Sequence, residues 1–109
     1  DAEYFCSEST WGQPTQRGYD DALTYLRSIG GHPHMTPGPS ACSRVSCSYN
    51  TGVWMCNDTP HDKYLISFGS VVDGMIFIWQ HCWPTVWSEN GGQVFHWTGW
   101  NVVMGTADC

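Results

Sequence analysis

The chain is 109 residues long, with four Lys or Arg against ten Asp or Glu and a formal net charge of −6. That balance argues against a nucleic-acid binder, whose affinity comes from neutralising phosphates, and against adsorption to anionic membranes. Charged residues are only 13% of the chain and aromatics 15%; its seven Trp exceed what a small core fully buries, so some are expected at the surface.

Six cysteines, Cys6, Cys42, Cys47, Cys56, Cys82 and Cys109, span the chain, and the last is its final residue. An even count in a short chain predicts three disulfides and an oxidising, extracellular compartment. No Cys-x-x-Cys pair occurs, and the spacings Cys42-x4-Cys47 and Cys47-x8-Cys56 fit no common zinc pattern. A start at Asp1 is expected of a mature form whose signal peptide has been removed. The longest apolar run, Met75 to Trp79, falls far short of the ~20 residues that span a bilayer. A soluble, monomeric, single domain over residues 1–109 is expected.

Residues 1–19 carry no clear period, and Cys6 is expected to anchor them. Asp20 reads as an N-cap, and Ala22, Tyr25, Leu26 and Ile29 fall on one helical face that Gly30-Gly31 ends. His32 to Ser40 holds three prolines and is expected to be a loop. Its His32 and His34 share a side, but without a third ligand nearby no metal is expected. Cys42 to Cys56 reads as a hairpin turning at Asn50-Thr51-Gly52. A turn centred on Thr51-Gly52 would set Cys47 opposite Cys56, but six cysteines leave the pairing open. Asn57-Asp58-Thr59 is a glycosylation sequon that Pro60 and Asp58 make a poor acceptor.

Ser70 to Asp73 reads as a capping box. Val71, Val72, Met75, Ile76, Trp79 and Cys82 trace an apolar face that Pro84 stops, with Phe68 just before the helix. Gly74 inside it implies close packing, since glycine costs about 1 kcal/mol there. Trp83 to Gly92 is a loop, and Gln93 to Met104 a second hairpin turning at Thr98-Gly99. Trp54 and Trp79 are expected in the core from their strand and helix positions. The predicted fold class is α+β: two helices packed on an antiparallel sheet made of two hairpins.

The stretch Cys42-Ser43-Arg44-Val45-Ser46-Cys47-Ser48-Tyr49-Asn50 is distinctive. With Val53-Trp54-Met55-Cys56-Asn57-Asp58, the helix ending in Cys82, Gly91-Gly92-Gln93-Val94-Phe95, Trp100-Asn101-Val102 and a terminal Cys, it resembles small secreted fungal proteins. The likeness is to the necrosis-inducing protein family of apoplastic effectors from plant-pathogenic fungi, in length, six cysteines and a Cys-Ser-Arg motif, over about residues 20–109. The helix–hairpin order is also similar to killer-toxin-like effectors, which tend to carry further cysteines that this chain lacks. The resemblance implies a secreted effector that binds a host plant protein, with no catalytic residues to carry over. Inhibition of a papain-like cysteine protease and induction of necrosis are the activities it implies.

Enzymatic readings find less support in the residues. A ribonuclease needs a carboxylate, a His and an Arg; Glu3, Glu8, Glu89, His96 and Arg44 supply the types, but the carboxylates fall on the terminal arm and a Gly-rich loop. No Gly-x-Ser-x-Gly elbow and no phosphate or dinucleotide fingerprint occurs, and no cofactor is expected. Carbohydrate binding, to chitin or cell wall, is the alternative that the late Trp83, Trp87, Trp97 and Trp100 keep open. Arg44 is expected to pair with a carboxylate; as a docking contact it is the other reading. Candidate partner-binding residues are His34, Met35 and Pro37 in the first loop, Trp83, Trp87 and Asn90 in the second, and Arg44.

Overall fold

A computed structural model describes residues 2–83 and 89–109. The N-terminal arm, without a visible period in sequence, forms a short strand β1 (Tyr4–Cys6) and one helical turn α1 (Glu8–Trp11). Ser7 caps that turn, its Oγ accepting the Thr10 N–H at 3.1 Å.

The first long helix, α2 (Gln16–Ser28), begins a turn earlier than Asp20. Thr15 is its N-cap, accepting the Gly18 N–H at 3.0 Å. Asp20 lies inside the helix, where its carboxylate accepts from the Gln16 amide. The buried stripe is Gly18, Tyr19, Ala22 and Leu26, so Tyr25 faces solvent. The helix ends in an extended Ile29, before the glycine pair.

The Pro-rich segment is not wholly loop. His34–Met35 forms β2, which pairs with β5 (Lys63–Tyr64) in a separate two-stranded ribbon. The first hairpin is β3 (Ala41–Ser48) and β4 (Thr51–Asn57). Its turn residues are Tyr49 and Asn50, both at positive φ (45° and 59°), the two-residue geometry that matches strand twist. Thr51 therefore belongs to β4. It is fully buried, and its Oγ1 accepts the Thr15 N–H at 2.8 Å. This link between the α2 N-cap and the hairpin holds the turn two residues earlier than expected. The register then sets Cys42 opposite Cys56 and Cys47 opposite Gly52, with a bulge between Arg44 and Ser46.

The second long helix, α3 (Gly69–Cys82), starts from Phe68 without a side-chain cap, so the Ser70–Asp73 capping box does not form. It buries Val71, Val72, Met75, Ile78 and Cys82. Trp79 is 37% exposed rather than core, and stacks on Tyr19 at 5.7 Å. The last hairpin is β6 (Gly92–His96) and β7 (Trp100–Thr106), joined through Trp97, Thr98 and Gly99, the last at φ +87°.

All pairings in the five-stranded sheet are antiparallel, in the order β1-β6-β7-β4-β3. The two hairpins join through β4 and β7, as a single antiparallel sheet requires. The two-helix, two-hairpin plan is incomplete: the described residues form three helices, an extra edge strand and the ribbon. Helices α2 and α3 cover one face, and the core between holds Leu26, Met35, Val53, Met75, Ile78, Val102 and Met104.

All six cysteines are paired: Cys6–Cys82, Cys42–Cys56 and Cys47–Cys109. Three disulfides in a domain of this size are typical of extracellular proteins. Among the described residues, no helix is long and apolar enough to cross a membrane.

Candidate functional site

Strand alternation sends every second side chain to the face that α2 and α3 do not cover. The register puts Phe5, Gln93, Val103, Trp54 and Arg44 in one row across all five strands of that face. At ~4.8 Å per strand the row is about 19 Å long. Phe5 is 51% exposed, Arg44 is exposed, and Trp54 and Val103 are half-buried. Trp54 packs on Gly52, where a Cβ would come within 2.5 Å of the indole. The helix α1 reaches only one end of this face, where Trp11 packs on Gly91 and Gly105.

The adjacent row is Phe95, Asn101, Cys56 and Cys42. Phe95 meets Phe5 edge-on at 6.1 Å. The Gln93 amide donates to Asn101 Oδ1, and Asn101 Nδ2 donates to Asp58 Oδ2, both at 2.8 Å. Buried Asn101 is thus satisfied by two neighbours that hold it still.

A cleft of about 210 Å³ opens at the end of the sheet, between α3 and the β6–β7 hairpin. Val94, Val102 and Trp100 form its apolar floor, with Phe77, Asp73 and His96 around them. A hollow beside it shares Ala2, Phe95 and His96 and adds Glu3 and Trp97. Trp97, at the hairpin tip, is 90% exposed. The Thr98 N–H donates to His96 Nδ1 at 3.2 Å, so the neutral ring carries its proton on Nε2.

The residues chosen from sequence are dispersed. Met35, on the ribbon, is fully buried in the core, which removes it as a surface contact. His34 is exposed, stacked on Tyr64 at 4.4 Å and bonded to Asp62 at 2.8 Å. Pro37 is exposed. His32 Nδ1 lies 3.2 Å from the Leu65 carbonyl oxygen. Trp83 packs against the core and Tyr19, and its indole N–H donates to the Asn90 carbonyl at 2.9 Å. That contact folds part-buried Asn90 back onto the domain. Trp87 lies outside the described residues.

Among the described residues, Arg44 makes no carboxylate pair; its guanidinium reaches the Asp108 carbonyl oxygen at 3.5 Å. It stands three strands from β6, about 14 Å, so Arg44 and His96 do not converge on one phosphate. Glu3 and His96, by contrast, line one hollow.

Sequence reasoning missed Phe5 and placed Trp54 in the core. The signal for Trp54 was present: Val53 and Met55 point inward, so alternation turns Trp54 outward. No protein-family model matches the chain, and no curated protein or solved structure is significantly similar to it.

Proposed function

We propose that this chain is a secreted effector that acts in the plant apoplast by binding a host protein, and that it binds with the open face of its sheet. The observation that carries the surface is the row of Phe5, Val103, Trp54 and Arg44 that α2 and α3 leave uncovered. Aromatic residues and Arg are the types enriched in protein interfaces and their energetic centres. A disulfide-held sheet also presents them with little ordering left to do on binding. The plant setting rests on the resemblance of the Cys42-Ser43-Arg44 region to fungal effectors.

Inhibition of a papain-like cysteine protease is one form this binding takes, by covering the enzyme rather than by a Met35-led loop entering its cleft. The test uses the wild type, Arg44→Glu and Phe5→Ala in leaf infiltration and in a substrate-cleavage assay with a papain-like plant protease. Each variant is expected to lose at least tenfold in potency with little change in melting temperature. Full potency of both variants would remove the open face as the binding surface. No inhibition at micromolar protein, with necrosis retained, would remove only the protease.

Carbohydrate binding is the second reading, favoured by the 90% exposed Trp97 ring. Retention on insoluble chitin that Trp97→Ala abolishes would support it over a protein partner.

A further inference from the structure

The cleft at the hairpin end borders the open face at Phe95, and its chemistry is more specific. Its floor is apolar and closed: Val94, Trp100 and Val102 are all buried. Its volume, about 210 Å³, exceeds the ~150 Å³ cavity that accepts a benzene ring. Asp73 lines it, and Glu3 lines the hollow beside it. Both residues are exposed, and among the described residues neither carboxylate makes an ion pair or hydrogen bond. The ring of Phe77 stands beside that floor, and Trp97 stands at the outer rim.

No Lys or Arg lines either hollow. Arg17 sits over the Tyr49 ring at 3.9 Å, Arg27 is on α2, Arg44 is on the far edge strand and Lys63 is in the ribbon. Asp73 and Glu3, with no Lys or Arg to offset them, make the local field negative, which draws cations. An apolar floor, aromatic walls and free carboxylates at the mouth suit a ligand with an alkyl stem and a positive head. The stem takes the floor, and the head meets ring faces and carboxylates together.

We propose that this cleft binds the side chain of a lysine or arginine presented by a basic peptide segment of a partner. The open-face reading is not needed for this, because the cleft can be tested without any partner. The probes are N-acetyl-arginine methylamide and N-acetyl-lysine methylamide, added to ¹⁵N-labelled wild-type protein and followed by amide chemical shifts. The control is N-acetyl-norleucine methylamide, which keeps the stem and drops the charge.

The cationic probes are expected to shift Gly74, Val94 and His96 with a millimolar Kd that weakens as salt rises. Asp73→Asn is expected to weaken them about tenfold and Glu3→Gln about threefold. Trp97→Ala, at an exposed position, gives a second reading through the lost ring face. Equal shifts with norleucine would overturn the proposal in favour of a plain apolar pocket. Shifts at the same amides with N-acetylglucosamine and none with the basic probes would overturn it in favour of a sugar site. No shift with any probe would also overturn it, and would leave the open-face reading untouched.

Discussion

At the residue scale, Asn57 does more than its place in a sequon implies. It is fully buried at the end of β4. Its Nδ2 donates to the Thr36 and His61 carbonyls at 3.0 and 2.7 Å, and its Oδ1 accepts from the Thr59 N–H and hydroxyl. Asn57→Ala would leave those groups unpaired, and an expected loss of about 2–4 kcal/mol follows, read from urea unfolding. The fold has no room for a glycan on that buried amide, so folded protein secreted from yeast should show an unglycosylated Asn57 by mass. Asn-Asp-Thr could be read as a poor acceptor from Pro60, but the residue's role as a hub also depends on the Thr36 carbonyl, 21 residues away, which no local pattern shows. Tyr19 gives a pH prediction. Burial, with a smaller push from Asp20 and an opposing pull from Arg27, raises its phenol above the ordinary value of 10.0. The folded state then holds a proton that the unfolded chain releases. The contribution is whole below about pH 10 and is lost as pH climbs through the folded value. Alkaline unfolding should therefore steepen above pH 10, and Tyr19→Phe should flatten it.

At the element scale, what was legible is what local spacing determines. The apolar stripe of α3 and the alternation in the last hairpin both predicted elements close to those found. Gly74 was readable too: a Cβ there would come within 2.6 Å of Val102 Cγ2. Val102 is buried in a central strand and has little room to give. Gly74→Ala should cost about 1–2 kcal/mol despite a helix-propensity gain of about 1 kcal/mol. A double-mutant cycle with Val102→Ala should show favourable coupling, because the smaller residue makes the space; strict additivity would mean that the contact is not the cause. What was not legible came from contacts between elements. Thr15, rather than Asp20, caps α2 because Thr51 receives its N–H from across the domain. Tyr49 and Asn50 turn the hairpin because the same Thr51 is drawn inward, and a local count of Gly and Asn favours the wrong pair. Of the candidate surfaces, the outward face of β4 is written in the alternation of Val53, Trp54 and Met55, although strand position alone put Trp54 in the core. The cleft did not, since it needs α3, β6 and the N-terminal arm together.

At the scale of the whole molecule, the Cα radius of gyration of 12.9 Å is that of a compact domain, about 13 Å at this length. The sheet order that produces it, with β7 beside β4 and β1 outside β6, is long-range pairing that no local pattern encodes. The disulfides reinforce this order unequally. Cys42–Cys56 closes a short loop across one hairpin, with a sequence separation of 14, whereas Cys47–Cys109 and Cys6–Cys82 span 62 and 76. Loop-closure entropy assigns about 3 kcal/mol to the first and about 4 kcal/mol or slightly more to the others. Cys6–Cys82 has a second consequence. It bonds β1 to the end of α3, and the arm it holds carries Phe5 to the open face, Ala2 to the cleft and Glu3 to the hollow beside it. The paired variant Cys6→Ser/Cys82→Ser should therefore be destabilised more than Cys42→Ser/Cys56→Ser. It should also lose binding at temperatures where the rest of the domain is still folded. Amide exchange should show β1 released while β4 and β7 stay protected. Equal protection of β1 in both variants would mean that the strand pairs with β6 unaided, and that the disulfide adds stability without shaping either surface.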